Sequence, residues 1–201
     1  MPNWTATTVG MGHEILDRME RAVLKVRERL LRSTAALNQL GVPYAVVGGN
    51  AVASWVATVD DGAVRNTRDV DLLVRREDLP AITAALEQVG FVRDEVLGVV
   101  MFRDGPNGKP SEAIHLLFAG ERLRPEHLLP CPEIETVIDR ENCQVLNLES
   151  LLTMKLTSNR RKDQVHVEDL INVRLLDATW LSKLHPELSA RLQLILDTPE
   201  G

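Results

Sequence analysis

Val46-Val47-Gly48-Gly49-Asn50-Ala51-Val52-Ala53 and, beyond a polar loop, Arg65-Asn66-Thr67-Arg68-Asp69-Val70-Asp71-Leu72-Leu73-Val74 are the two stretches on which the fold reading turns. Tyr44 to Val47 is a short β-rich run that stops at the paired glycines. Asn50 to Ala57 has helical character. Val59 to Arg68 is polar and carries Asp60, Asp61, Gly62, Arg65 and Arg68. Val70 to Val74 is a second β-rich run, with Asp69 at its entry. The order is strand, glycine turn, helix, loop, strand.

Side chains at i and i+2 of a strand share a face. Asp69 and Asp71 are therefore expected to point the same way, with Cα atoms about 6.6 Å apart from a rise of about 3.3 Å per residue. Two such carboxylates repel unless a cation joins them. Mg2+ takes oxygen ligands and keeps waters for substrate phosphates. Two such ions about 4 Å apart can clamp the entering and leaving oxygens of an in-line phosphoryl transfer. Alone, the pair fits equally a strand edge bonded to arginine or water. Gly48-Gly49 shifts the balance, because a helix N-terminus offers free N–H groups and a positive dipole end to phosphate. Glycine also lets a phosphate approach the backbone. A tight turn needing positive φ explains the same glycines.

Outward from this element, Glu14 to Leu40 reads as a long helix. Met19, Val23, Val26, Leu30, Leu37 and Leu40 repeat at steps of four and three, with Ser33 in the series. That stripe fits packing on the chain's own core, and its heptad spacing also suits pairing with a second copy. Gly41 and Pro43 end the helix. Residues 1–10 read as irregular. On the other side, Glu77 to Val89 is a helix stopped by Gly90. Phe91 to Arg93, Val99 to Arg103 and Ala113 to Phe118 read as strands, with a turn at Gly105-Pro106-Asn107-Gly108. Gly120 to Glu141 is loop-rich. Gln144 to Leu146 suggests a short strand, and helices are expected at Leu148–Thr157, Asp163–Leu176 and Glu187–Leu196. The expected fold is α/β (α+β), a mixed sheet flanked by helices with a long N-terminal helix and a helical C-terminal region. The expected division is residues 1–42, a helix packing on the domain; 43–120, the core; and 121–201, a loop and helical lobe.

The chain has 201 residues, 44% hydrophobic, 26% charged and only 3% aromatic, so Leu, Val, Ile and Ala must build the core. A net charge of −6 and few rings give no support to a general binder of long nucleic acid. No apolar run of about 18 residues suggests a membrane span. The opening Met1-Pro2-Asn3-Trp4-Thr5 lacks a charged and then apolar leader, so a cytoplasmic location is expected. Cys131 and Cys143 read as reduced thiols, although one disulfide between them is conceivable.

The two quoted stretches resemble the nucleotidyltransferase superfamily that includes DNA polymerase beta, CCA-adding enzymes and aminoglycoside nucleotidyltransferases. The likeness is to small bacterial stand-alone members, including those related to abortive-infection nucleotidyltransferase toxins. A later motif in those proteins is similar to Lys155-Leu156, Arg160 and Lys162-Asp163, and the resemblance spans about residues 43–175. It implies a minimal nucleotidyltransferase fold. It also implies a Mg2+-dependent enzyme with a two-ion site that moves a nucleoside monophosphate from a nucleoside triphosphate to RNA, protein or a small molecule. Gly48 and Gly49 would hold phosphates, Asp69 and Asp71 would bind Mg2+, and Lys155 and Arg160 would neutralise phosphate charge. Arg68 is counted with the nucleotide-binding residues, and Asn50 stands where many members carry a serine that contacts phosphate. Related toxins imply a possible antitoxin partner.

One departure matters. The superfamily places a third carboxylate on a later strand, and His115 occupies that position here. Imidazole near neutral pH is a good general base, so His115 is counted as catalytic. A catalytically weak or inactive binding module on the same fold is the alternative. Glu121, just past the strand, is another candidate, whereas Glu112 should face away. Asp163, His166 and Asp169 share a helix face, where capping by Asp163 and salt bridges are preferred to a metal site.

Overall fold

A computed structural model describes residues 8–138 and 141–198. The reading of residues 1–7 as irregular lies outside them. Seven strands form one mixed sheet: β1 (Tyr44–Val47), β2 (Val70–Val74), β3 (Phe91–Val96), β4 (Val99–Asp104), β5 (Ile114–Phe118), β6 (Thr136–Ile138) and β7 (Gln144–Leu146). Their order is β3-β4-β5-β2-β1-β7-β6. β2 runs parallel to β5 and β1 parallel to β7, and the other neighbours are antiparallel. Strand β2 is central, and Val70, Leu72, Leu73 and Val74 are all buried. That is why it reads as a nearly continuous apolar run.

Six helices flank the sheet: α1 (Thr8–Leu40), α2 (Gly48–Ala57), α3 (Leu79–Gln88), α4 (Leu148–Ser158), α5 (Arg161–Asn172) and α6 (Pro186–Asp197). The core joins β-strand Val, Leu and Ile side chains to Val52 and Val56 of α2, Ile82 and Leu86 of α3, and Leu151, Leu152 and Leu156 of α4. Trp55 ties α2 to the sheet by donating from Nε1 to the Leu146 carbonyl at 3.0 Å. α6 closes the other side of α4, where Arg191 donates to the carbonyls of Leu156 and Thr157 at 2.7 and 3.1 Å.

Several sequence expectations need correction. Helix α1 begins at Thr8, not Glu14. Its apolar stripe is not one continuous free face. Leu30, Ser33 and Leu37 are buried in the chain's own core, while Met19, Val23 and Leu40 are exposed. Pairing with a second copy through the whole of residues 14–40 is therefore not available. A short 3-10 turn, Arg76–Asp78, precedes α3. The loop-rich stretch contains β6, whose short Thr-Val-Ile run has little period to detect. Helix α5 starts at Arg161 and ends at Asn172 rather than running from Asp163 to Leu176. Arg174 takes φ +63° and breaks it without the usual glycine. Neither cysteine is in a disulfide and both are buried, and burial pushes the Cys131 thiol up to about 11.

Candidate active site

Sheet register brings the key side chains together. Asp71 lies opposite Val47 on β1 and opposite His115 on β5. Asp69 sits immediately before β2. One ligand atom from each of Asp69, Asp71 and His115 lies within 4.8 Å of the others. His115 Nδ1 is 3.6 Å from Asp71 Oδ1, and both side chains are 22% exposed. The two aspartates and His115 thus line one cleft.

The glycine turn completes this corner. Gly48 takes φ +68°, and a Cβ there would collide with the Asp71 carboxylate. A Cβ on Gly49 would lie 2.9 Å from Thr67 Cβ. Both glycines therefore let the start of α2 press against the acidic strand and its approach loop. Val47 provides no side-chain cap for α2. Thr67, absent from the sequence-based site, donates its hydroxyl to Asp69 Oδ1 at 2.7 Å. Burial opposes ionisation of Asp69, but the Thr67 hydrogen bond, a backbone hydrogen bond and the charges of Lys162 and His115 together outweigh it, so its carboxyl lies below the usual range. For His115, the Asp71 hydrogen bond outweighs burial and raises the imidazole above its ordinary value.

The cleft encloses about 600 Å³ and reaches from Gly48 and Gly49 to α4 and the start of α5. Lys155 and Arg160 line it. Lys155 is buried, with Nζ 3.4 Å from Asp163 Oδ1 and 2.9 Å from His166 Nδ1. Burial pulls its ammonium below the usual lysine value, while the Asp163 charge opposes that loss. His166 is pushed down to about 4, chiefly by burial and then by Lys155. It is neutral and accepts from the ammonium. Asp163 is buried and accepts from the Arg160 backbone N–H at 3.3 Å and from Arg160 Nε at 2.8 Å. It caps α5 from inside the first turn.

Two proposed nucleotide-binding residues are not placed in this cleft. Arg68 is exposed and absent from the lining. It lies in the bend between Thr67 and Asp69 and is turned to the surface. Asn50 is turned from the cleft because its amide donates to the Asp69 carbonyl at 2.8 Å. It fastens α2 to β2. Glu121 reaches the cleft rim but is held by Arg76 through two contacts of 2.7 and 2.6 Å. Glu112 faces Arg29 at 3.9 Å. Asp169 is joined to Arg65 at 3.0 Å, so the α5 face carries salt bridges as preferred from the sequence. Lys162, Arg122, Arg124 and His127 also line the cleft. The first belongs to the basic run visible in the sequence; the others come from the 120–141 loop, where no local pattern marks them.

No protein-family model and no curated protein matches the chain. Several solved nucleotidyltransferases have a similar chain trace. One is ANT(2")-Ia in complex with adenylyl-2"-tobramycin, at 17% identity over 83% of this chain and 93% of that one, with TM-score 0.49. Another is an antigenic nucleotidyltransferase-like protein from Paracoccidioides brasiliensis, at 20% identity over 88% and 87%, with TM-score 0.48. The lincosamide antibiotic adenylyltransferase LnuA, lincomycin-bound, aligns at 10% identity over 68% and 90%, with TM-score 0.48. These likenesses concern the path of the backbone; the chemistry must be read from this chain's own side chains. No helix among the described residues is long and apolar enough to cross a membrane.

Proposed function

We propose that the chain is a metal-dependent nucleotidyltransferase that moves a nucleoside monophosphate from a nucleoside triphosphate to the hydroxyl of an acceptor. The observation that carries this reading is the convergence of Asp69, Asp71 and His115 beside the glycine start of α2 in a cleft whose opposite wall carries Lys155, Arg160 and Lys162. The donor set fits a divalent cation, because two ionised carboxylates in close array require a positive partner. Asp69 and Asp71 would hold it, and when bound it would neutralise charge on the reacting phosphate. Gly48 and Gly49 leave room beside these ligands for a triphosphate, and Lys155, Arg160 and Lys162 offset its charge.

In the transfer, an acceptor oxygen forms a bond to the α-phosphorus. The bond from that phosphorus to the oxygen bridging to the β-phosphate breaks, and pyrophosphate leaves. The acceptor proton passes to His115 or to water in the cleft. Positioning and charge supply most of the catalysis in such a step. RNA, protein and small molecules remain the acceptor classes to test. Incubation with a divalent cation, each α-labelled nucleoside triphosphate and these acceptor pools is expected to yield labelled product and pyrophosphate. No product and no triphosphate binding would sink the proposal. The histidine at the third ligand position favours one second reading, a binding module without turnover. Tight triphosphate binding without label transfer would select it.

A further inference from the structure

The cluster at the head of the cleft mixes donor types. Asp69 and Asp71 offer oxygen, while His115 offers imidazole nitrogen within the same 4.8 Å group. The arrangement comes from the backbone: His115 sits directly across the parallel β2–β5 ladder from Asp71. Strand register holds its side chain beside that carboxylate, with Nδ1 3.6 Å from Oδ1. Glu121, a carboxylate that also lines the cleft, is engaged by Arg76 at 2.6 Å and lies outside this group. Thr67 occupies one oxygen of Asp69 at 2.7 Å, which reduces the oxygen donors free for a cation.

Ligand type governs metal choice. Mg2+ takes oxygen donors, whereas imidazole suits first-row transition ions; Mn2+ accepts carboxylate well and lies at the start of the series in which nitrogen ligation strengthens. We infer that His115 is a metal ligand, and that it converts this site from a magnesium centre into a mixed nitrogen–oxygen centre selective for Mn2+ over Mg2+. The inference rests on the nucleotidyltransferase reading and gives His115 a coordinating role in place of the general-base role. The acceptor proton then leaves to cleft water.

The test is electron paramagnetic resonance of Mn2+ bound to the full chain, with and without a non-hydrolysable nucleoside triphosphate, together with calorimetric titration of Mn2+ and Mg2+. Wild type is expected to show coupling of the electron spin to a histidine nitrogen. Labelling the histidines with 15N should change that coupling without any substitution. His127→Gln and His166→Gln should retain it, whereas His115→Asp, checked for folding by circular dichroism, should lose it. Mn2+ is expected to bind at least about tenfold more tightly than Mg2+, and His115→Asp should narrow the ratio by strengthening Mg2+ binding. Mn2+ bound with no histidine coupling, and an unchanged ratio in His115→Asp, would overturn this inference while leaving the transferase proposal intact. Absence of divalent-cation binding in both conditions would overturn both.

Discussion

Gly48 carries two demands at once. Its φ of +68° is unfavourable for a side chain, and any Cβ would strike Asp71. Gly48→Ala is expected to cost about 1–3 kcal/mol in stability, the usual scale for a strained backbone position, and to weaken divalent-cation binding. Chemical denaturation and calorimetry check the two effects. Asp71→Asn should behave differently. It removes one of two neighbouring negative charges, so the metal-free protein should melt no lower than wild type. Product formation should nevertheless fall by at least about 10²-fold, the scale for losing one electrostatic contact to a transition state. A large loss of stability in Asp71→Asn would show that the carboxylate is structural. Strand period suggested that the two aspartates share a face, whereas His115 was singled out only by the resemblance. The directions of Arg68 and Asn50 were not legible, because proximity in sequence to an active residue does not set direction. The bend before β2 leaves Arg68 at the surface, and a single amide–carbonyl bond of 2.8 Å captures Asn50.

At the scale of elements, the α4–α5 junction couples charge to folding. His166 has a folded value near 4 against an ordinary value of about 6.5. The unfolded chain therefore takes up a proton that the folded chain resists, and stability falls as pH drops from about 6.5 toward 4. Asp163 is also held below its usual value; burial opposes this, but Arg160 and Lys155 prevail. Its contribution is present above the unfolded carboxylate value and is lost at still lower pH. His166→Gln is expected to flatten the first part of this decline in urea titrations across pH. Asp163→Ala leaves Lys155 buried beside His166 without its carboxylate, and a loss of about 3–5 kcal/mol is expected.

The β3–β4 hairpin makes a separate case. Its tip, Leu97-Gly98, takes φ of +51° and +78°, a turn that favours Asn-Gly over Leu-Gly. Leu97 is 100% exposed and lines the cleft mouth. Leu97→Asn is expected to raise stability by about 1 kcal/mol by relieving the left-handed conformation, as read by thermal denaturation. The succession of strands along the chain through β5 was readable because each apolar run ends at glycine or a polar turn. The end of α5 was not, since Arg174 adopts a conformation that its identity does not announce.

Across the whole molecule, a net charge of −6 coexists with a cleft wall carrying Lys155, Arg160 and Lys162. Bulk charge gave no sign of a long nucleic-acid surface, and it concealed this local basic wall. Helix α1 divides in a similar way. Leu30 and Leu37 are buried in the core, whereas Leu16, Met19 and Val23 are exposed. That remaining face covers little more than one heptad, short of the three or four that support a coiled coil. Sedimentation is therefore expected to show a monomer at micromolar concentration. Association abolished by Leu16→Glu with Met19→Glu would instead place a dimer contact there. The heptad spacing was visible in the sequence, but which half faced inward depended on packing with α3 and β2.

The proposed transfer requires two aspartates and a glycine-led helix start to receive a cation-bound triphosphate together. Calorimetric titration of a non-hydrolysable nucleoside triphosphate, with and without a divalent cation, tests this in wild type and in Asp69→Asn with Asp71→Asn. Micromolar binding that requires both the cation and the aspartates is the expected result. Binding indifferent to either, or no binding, would contradict it.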